Sequence, residues 1–129
     1  MTSGTQLGRV RGLGSAKHGS KHWIDQRVSA LGNLLLTVWL VGSFFWLPSF
    51  EHKILAEWLA QPSVAVPMIL MLVSIFWHVR LGLQVFIEDY AQDEGNKLIS
   101  LMLLNFYVIG GVAFGIFTIA KHAFAGASA

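Results

Sequence analysis

The residue types able to do chemistry gather in one stretch of the chain, Phe76-Trp77-His78-Val79-Arg80-Leu81-Gly82-Leu83-Gln84-Val85-Phe86-Ile87-Glu88-Asp89-Tyr90. His78 lies deep in an apolar run, where an ionisable side chain is costly and marks function by default. A neutral imidazole in such a place either bonds to a neighbouring helix or binds haem iron as an axial ligand. Gly82 follows four residues later on the same helix face and leaves a notch through which a flat macrocycle can approach the ring. Asp89 is eleven residues beyond His78. At about 3.6 residues per turn it returns to the His78 face roughly 16 Å nearer one membrane surface. Tyr90 adds a phenol that can donate to a carbonyl at the water–lipid boundary, a seat suited to a quinone head group. Plainer uses exist for both: His78 bonded to a serine or a carbonyl on the next helix, and Tyr90 as an interfacial anchor. Spacing alone leaves each choice open.

The elements that must position these residues are helices in a membrane. Of 129 residues, 54% are hydrophobic and 12% charged, and the mean hydropathy of +0.59 does not describe a water-soluble domain. Without cysteine, the chain by itself has no disulfide framework, thiolate zinc site or iron–sulfur cluster. Apolar runs at about 28–47, 64–87 and 98–120 are each long enough to cross a hydrocarbon core of about 30 Å. The chain therefore reads as an all-α membrane protein with three transmembrane helices: a basic segment 1–27, then a three-helix anchor domain 28–129. Pro48 ends the first helix. A short polar connection with an interfacial stretch around Trp58 follows, and Pro62 and Pro67 bracket the start of the second helix, where a missing N–H does little harm.

Arg9, Arg11, Lys17, Lys21 and Arg27 precede the first run and Lys97 lies in the second loop, whereas Lys53 and Lys121 fall on the other side. The positive-inside rule places the N-terminus and the Asp89-Tyr90 loop in the cytoplasm and the C-terminus in the periplasm. The basic leader has no apolar segment near its start, so a cleaved secretory signal is not expected, and its five glycines oppose the amphipathic helix of a transit peptide. Gly111 and Gly115, one turn apart, allow close helix contact, although glycine is common in any membrane helix. Three helices of this size enclose little, so a partner is expected.

The run His78-x-x-x-Gly82-Leu83-Gln84-x-x-Ile87-Glu88-Asp89-Tyr90 resembles the second-helix signature of the small hydrophobic membrane anchors of succinate dehydrogenase, the respiratory succinate:quinone oxidoreductase. Upstream, Gly12-Leu13-Gly14-Ser15-Ala16-Lys17 and His22-Trp23-x-x-Gln26-Arg27-Val28-Ser29-Ala30 resemble the approach to that family's first helix. The resemblance implies that His78 is one axial ligand of haem b, with the other histidine coming from a cytochrome b556-type anchor subunit. It further implies that Asp89 and Tyr90 border the ubiquinone site, that Arg27 pairs with a haem propionate, and that Gly82 packs against the macrocycle. FAD and iron–sulfur clusters would belong to a flavoprotein subunit and an iron–sulfur subunit, electrons from succinate would reach ubiquinone beside this chain, and the chain would not be catalytic alone. The implied setting is the bacterial inner membrane rather than the mitochondrial one, among lipid and without nucleic acid; a trimer of heterotetramers is left open. The rival readings are a fumarate reductase anchor and a haem-free adaptor or transporter subunit.

Other polar residues read more plainly. Arg80 is two residues from His78, roughly 200° around a helix, and so faces away from it; a structural or propionate-shell role is expected. His18, His22, His52 and His122 read as solvated, Glu88, Asp93 and Glu94 as a solvated loop face, and Trp23, Trp46 and Trp58 as an aromatic belt.

Overall fold

The computed structural model describes residues 19–125, where four helices joined by short connections are present and no strand is found: α1 (Gly19–Phe44), α2 (His52–Leu59), α3 (Pro62–Tyr90) and α4 (Glu94–Ala125). The basic leader with Arg9, Arg11, Lys17 and His18 lies outside the described residues. Three of the helices, α1, α3 and α4, are long and apolar enough to span a bilayer, as the three apolar runs require.

Each spanning helix is longer than its apolar run. Lengths of 26, 29 and 32 residues correspond to about 39, 44 and 48 Å at 1.5 Å per residue, well beyond a hydrocarbon core of about 30 Å. Hydropathy marks only the part in hydrocarbon, whereas backbone hydrogen bonding continues until something stops it. Thus α1 is already helical at Gly19, the first described residue, rather than beginning near Val28, and Lys21, His22, Asp25 and Gln26 stand on helical backbone ahead of the apolar run. It ends at Phe44 rather than Leu47, where the N–H groups of Phe45, Trp46 and Leu47 turn back to the carbonyls of Gly42, Ser43 and Phe44. Pro62 occupies the first turn of α3 and Pro67 lies inside it, so only the first of the two prolines marks the start. The Asp93 carboxylate accepts from Asn96 N–H at 2.8 Å, which caps α4 and gives that acid a structural task beyond solvation. The connection between α1 and α3 folds as the two-turn helix α2, with Trp58 against Phe44 at a ring separation of 5.8 Å.

The middle of the bundle is α3. It packs against α1 on one side and α4 on the other, and α1 and α4 do not pack on each other within the described residues. Lipid tails are as apolar as leucine, so close helix association needs small residues rather than a hydrophobic drive. The α3–α4 seam meets that need: a Cβ added at Gly111 would collide with the ring of Phe76, and one at Gly115 with Leu72. The two glycines therefore serve contact within the chain. Gly110, beside them, has open space. Gly111→Leu is accordingly expected to lower the unfolding midpoint of the complex in mild detergent by an overpacking cost of about 1–3 kcal/mol, with Gly110→Leu near neutral; equal midpoints for the two variants would refute the seam. Among the described residues, Val64, Ala65, Leu81, Leu104 and Val108 are the buried apolar ones, and Ser29 is the buried polar one. Leu31, Leu34, Leu35 and Val38 of α1 stay exposed, a surface suited to lipid or to another membrane subunit.

Candidate functional site between α1 and α3

A polar stripe runs up one side of α1. His22, Gln26, Ser29 and Asn33 are spaced by four, three and four residues, which at about 100° per residue confines them to an arc of roughly 60°. That face turns to α3 and meets His78. The Ser29 hydroxyl lies 3.0 Å from His78 Nδ1, and the Gln26 side-chain amide lies 3.4 Å from His78 Nε2. Ser29 is 8% exposed, so its bond to the imidazole is shielded from lipid and water alike. The amide contact is long for a hydrogen bond and correspondingly weak.

Gly82 stands where the spacing argument put it, on the His78 face, and a Cβ there would come within 3.7 Å of the Gln26 amide nitrogen. Around this point His22, Trp23, Gln26, Leu81, Gly82 and Val85 line a groove of about 360 Å³. Three buried polar atoms have no hydrogen-bond partner among the described residues: His22 Nε2, Gln26 Oε1 and Asn33 Oδ1. All three belong to the same stripe of α1. Each such orphan costs about 1–3 kcal/mol when desolvated, and more in hydrocarbon, and two of the three belong to groove-lining residues, His22 and Gln26.

Arg80 sits on the opposite side of α3. Its Nε donates to Asn105 Oδ1 of α4 at 2.7 Å, and its guanidinium lies 5.3 Å from the Trp77 ring. A cation inside a membrane span needs such a partner, and the geometry keeps its charge on the α4 side while His78 serves the α1 side. Arg27 is exposed and stacks on Trp23 at 5.0 Å; Trp23, not Arg27, lines the groove. Asp89 and Tyr90 are exposed at the end of α3, with the Tyr90 ring stacked on Phe86 at 4.5 Å. Nearby, Glu88 accepts from Gln84 through its carboxylate at 2.9 Å and from Lys97 through its carbonyl at 3.2 Å. A groove lined by Ala91, Gln92, Glu94, Lys97, Leu98 and Leu101 opens beside that end. The structure thus brings His78 and Gly82 together with Gln26 and Ser29, and leaves Asp89 and Tyr90 on an open rim roughly 16 Å away along the helix.

Residues 1–118 match the family described as succinate dehydrogenase/fumarate reductase transmembrane subunit. The chain belongs to that family. Among curated relatives, the succinate dehydrogenase hydrophobic membrane anchor subunit of Rickettsia conorii (strain ATCC VR-613 / Malish 7) is 33% identical over 112 residues, covering 84% of this chain and 88% of the relative. Its counterpart in Rickettsia bellii (strain RML369-C) is 32% identical over 99 residues, covering 77% and 78%. The succinate dehydrogenase membrane anchor subunit of Reclinomonas americana is 27% identical over 104 residues, covering 72% and 80%. The resemblance drawn from the His78–Tyr90 run is borne out at the level of the family, and with it the multi-pass membrane character of the chain.

For such a family member the fit of a haem can be tested on the residues themselves. No group of three or more His, Asp or Glu side chains among the described residues could hold a metal ion alone, so His78 offers iron a single bond. The porphyrin and a second chain would supply the remaining bonds. His78 Nε2 meets the side-chain amide of Gln26, which lines the groove together with Gly82, and the orphaned polar atoms of His22 and Gln26 belong to groove-lining residues. These residues fit the group. Reading outward from the apolar run misses His22 and Gln26 as groove residues because hydropathy starts α1 at Val28, and misses Ser29 as the partner of His78 because the contact joins residues forty-nine positions apart. The four-three-four spacing of polar residues in α1 is the available signal.

Proposed function

We propose that this chain is the membrane anchor of a succinate:quinone oxidoreductase, that it holds haem b jointly with a cytochrome b556-type partner, and that it forms one wall of the ubiquinone-reduction site. The observation that carries the reading is the placement of His78, with Nδ1 held by buried Ser29 and Nε2 meeting Gln26, a residue that lines the groove with Gly82. A histidine used only to pack helices would have no need of an adjoining notch and orphaned polar atoms.

In the mechanism, FAD and iron–sulfur clusters stay in the partner flavoprotein and iron–sulfur subunits, and this chain supplies position and protons. His78 Nε2 would bind the haem iron, Gly82 would leave room for the macrocycle, and His22 and Arg27 lie on the turns of α1 nearest the cytoplasm, where a propionate can accept from either. When bound, haem b supplies a one-electron centre near the quinone site. Tyr90 would donate its phenol proton in a hydrogen bond to a quinone oxygen, and Asp89 would pass protons from water, since quinone reduction takes up two. Tyr90 is 73% exposed in the single chain, so burial of the quinone falls to the partner anchor and the iron–sulfur subunit. The relatives' names favour succinate oxidation over the reverse reaction also covered by the family description, and their Rickettsia sources favour a bacterial cytoplasmic membrane, with the N-terminus and Tyr90 inside. The test is purification through a tag on this chain from detergent-solubilised membranes. Flavoprotein and iron–sulfur subunits, succinate:ubiquinone reductase activity and a low-spin b-type haem spectrum should appear together; a complex active with quinone but devoid of haem would overturn the role given to His78.

A further inference from the structure

Ser29 makes two hydrogen bonds, and together they decide which nitrogen of His78 carries the proton. The Ser29 hydroxyl donates to the Gln26 backbone carbonyl at 3.0 Å. A hydroxyl has one hydrogen, so toward His78 Nδ1, also at 3.0 Å, the serine oxygen acts as acceptor and Nδ1 is the N–H. The other face of the ring is compatible with this: the Gln26 amide nitrogen, a donor, lies 3.4 Å from Nε2. The Ser29 bond is thus what selects the tautomer, the one an axial ligand requires.

We infer that Ser29 is a positioning residue that holds His78 in its Nδ1–H tautomer and, through that bond, sets the donor strength of Nε2 toward haem iron. The inference rests on the haem-binding reading of the groove. An acceptor on the distal N–H fixes ring orientation and raises ligand basicity. A more basic ligand stabilises ferric over ferrous iron, and hydrogen bonding to the ligand's far nitrogen is one of the means by which a protein sets haem potential. The bond lies where α1 meets α3, with Ser29 itself buried, a setting that strengthens a hydrogen bond relative to water. Removing the acceptor weakens Nε2 as a donor, and the haem becomes easier to reduce.

The experiment compares four versions of the complete complex: the parent, Ser29→Thr, Ser29→Val and Ser29→Ala. Thr and Val have the same shape and differ in the hydroxyl alone. The readouts are the haem midpoint potential and the g values of the ferric low-spin EPR signal, both independent of turnover. The expected result is a more positive midpoint and an altered g anisotropy in Val and Ala, with Thr matching the parent. Loss of haem from Val and Ala but not Thr supports the same conclusion, because the hydroxyl is then what retains the ligand. Identical midpoints and EPR signals in all four proteins, or a Thr variant that departs as far as Val or loses its haem, would overturn it. Absence of haem from the parent complex itself would instead overturn the haem-binding reading and this inference with it, and the two failures differ in whether a haem spectrum exists at all.

Discussion

His78→Ala in the assembled complex is expected to abolish the six-coordinate low-spin b-type haem spectrum, because on the proposed haem-binding reading it would delete one of two axial bonds to iron. The reduced-minus-oxidised difference spectrum, with haem content measured on the same sample, reads the effect directly. Either haem is lost, or it stays on the partner's histidine and propionate contacts with a changed coordination number. The alternative explanation, collapse of the fold, is separable. In the variant, Ser29 keeps its donor bond to the Gln26 carbonyl, so the structural loss is the Ser29 bond to Nδ1, the long Gln26 contact to Nε2 and a small cavity. The Ser29 bond is worth about 1 kcal/mol, and the glycine seam between α3 and α4 is untouched. The three helices should still insert and the complex still co-purify. An unchanged bis-histidine spectrum would show that His78 serves only to pack α3 on α1.

Tyr90→Phe should separate a quinone contact from interfacial anchoring. The aromatic body remains, and with it the stack on Phe86, which at 4.5 Å and 26° depends on the rings and not on the hydroxyl. If the phenol donates to a quinone oxygen in the assembled site, its loss leaves a buried acceptor unpaired at a cost of about 1–3 kcal/mol. That corresponds to a fall in ubiquinone reduction of roughly 5- to 150-fold, taking about 1.4 kcal/mol per factor of ten. Succinate oxidation by a soluble artificial acceptor draws electrons before the membrane and should be unaltered in the same preparation. Equal loss in both assays would point to damaged assembly, and full ubiquinone activity would leave Tyr90 as an anchor.

What the linear sequence determined by itself were the properties carried by a single helix. Three apolar runs specify three spans because each can satisfy its own backbone hydrogen bonds in lipid. The spacing from His78 to Gly82 specifies a shared face because 3.6 residues per turn is a local property, and the glycine indeed stands on the side of α3 that meets Gln26. The same periodicity correctly turned Arg80 away from His78, although it could not name Asn105, twenty-five residues on, as the acceptor. Helix ends were less legible, since hydropathy records where lipid is and not where hydrogen bonding stops: α1 continues to Gly19 and takes His22 and Gln26 with it.

Only the tertiary structure decided which helix faces which. The arrangement with α3 between α1 and α4 depends on how side chains from distant parts of the chain interlock. It assigns Gly111 and Gly115 to contact within the chain, against Phe76 and Leu72, where spacing had left open an ordinary use of glycine. It also supplies the partner that the plainer reading of His78 called for, a serine on the next helix. The ring has two nitrogens on different edges, and packing α1 against α3 gives Nδ1 to Ser29 while bringing Nε2 to the Gln26 side-chain amide. No local rule contains that division, because it depends on residues forty-nine and fifty-two positions apart in the chain meeting at one ring.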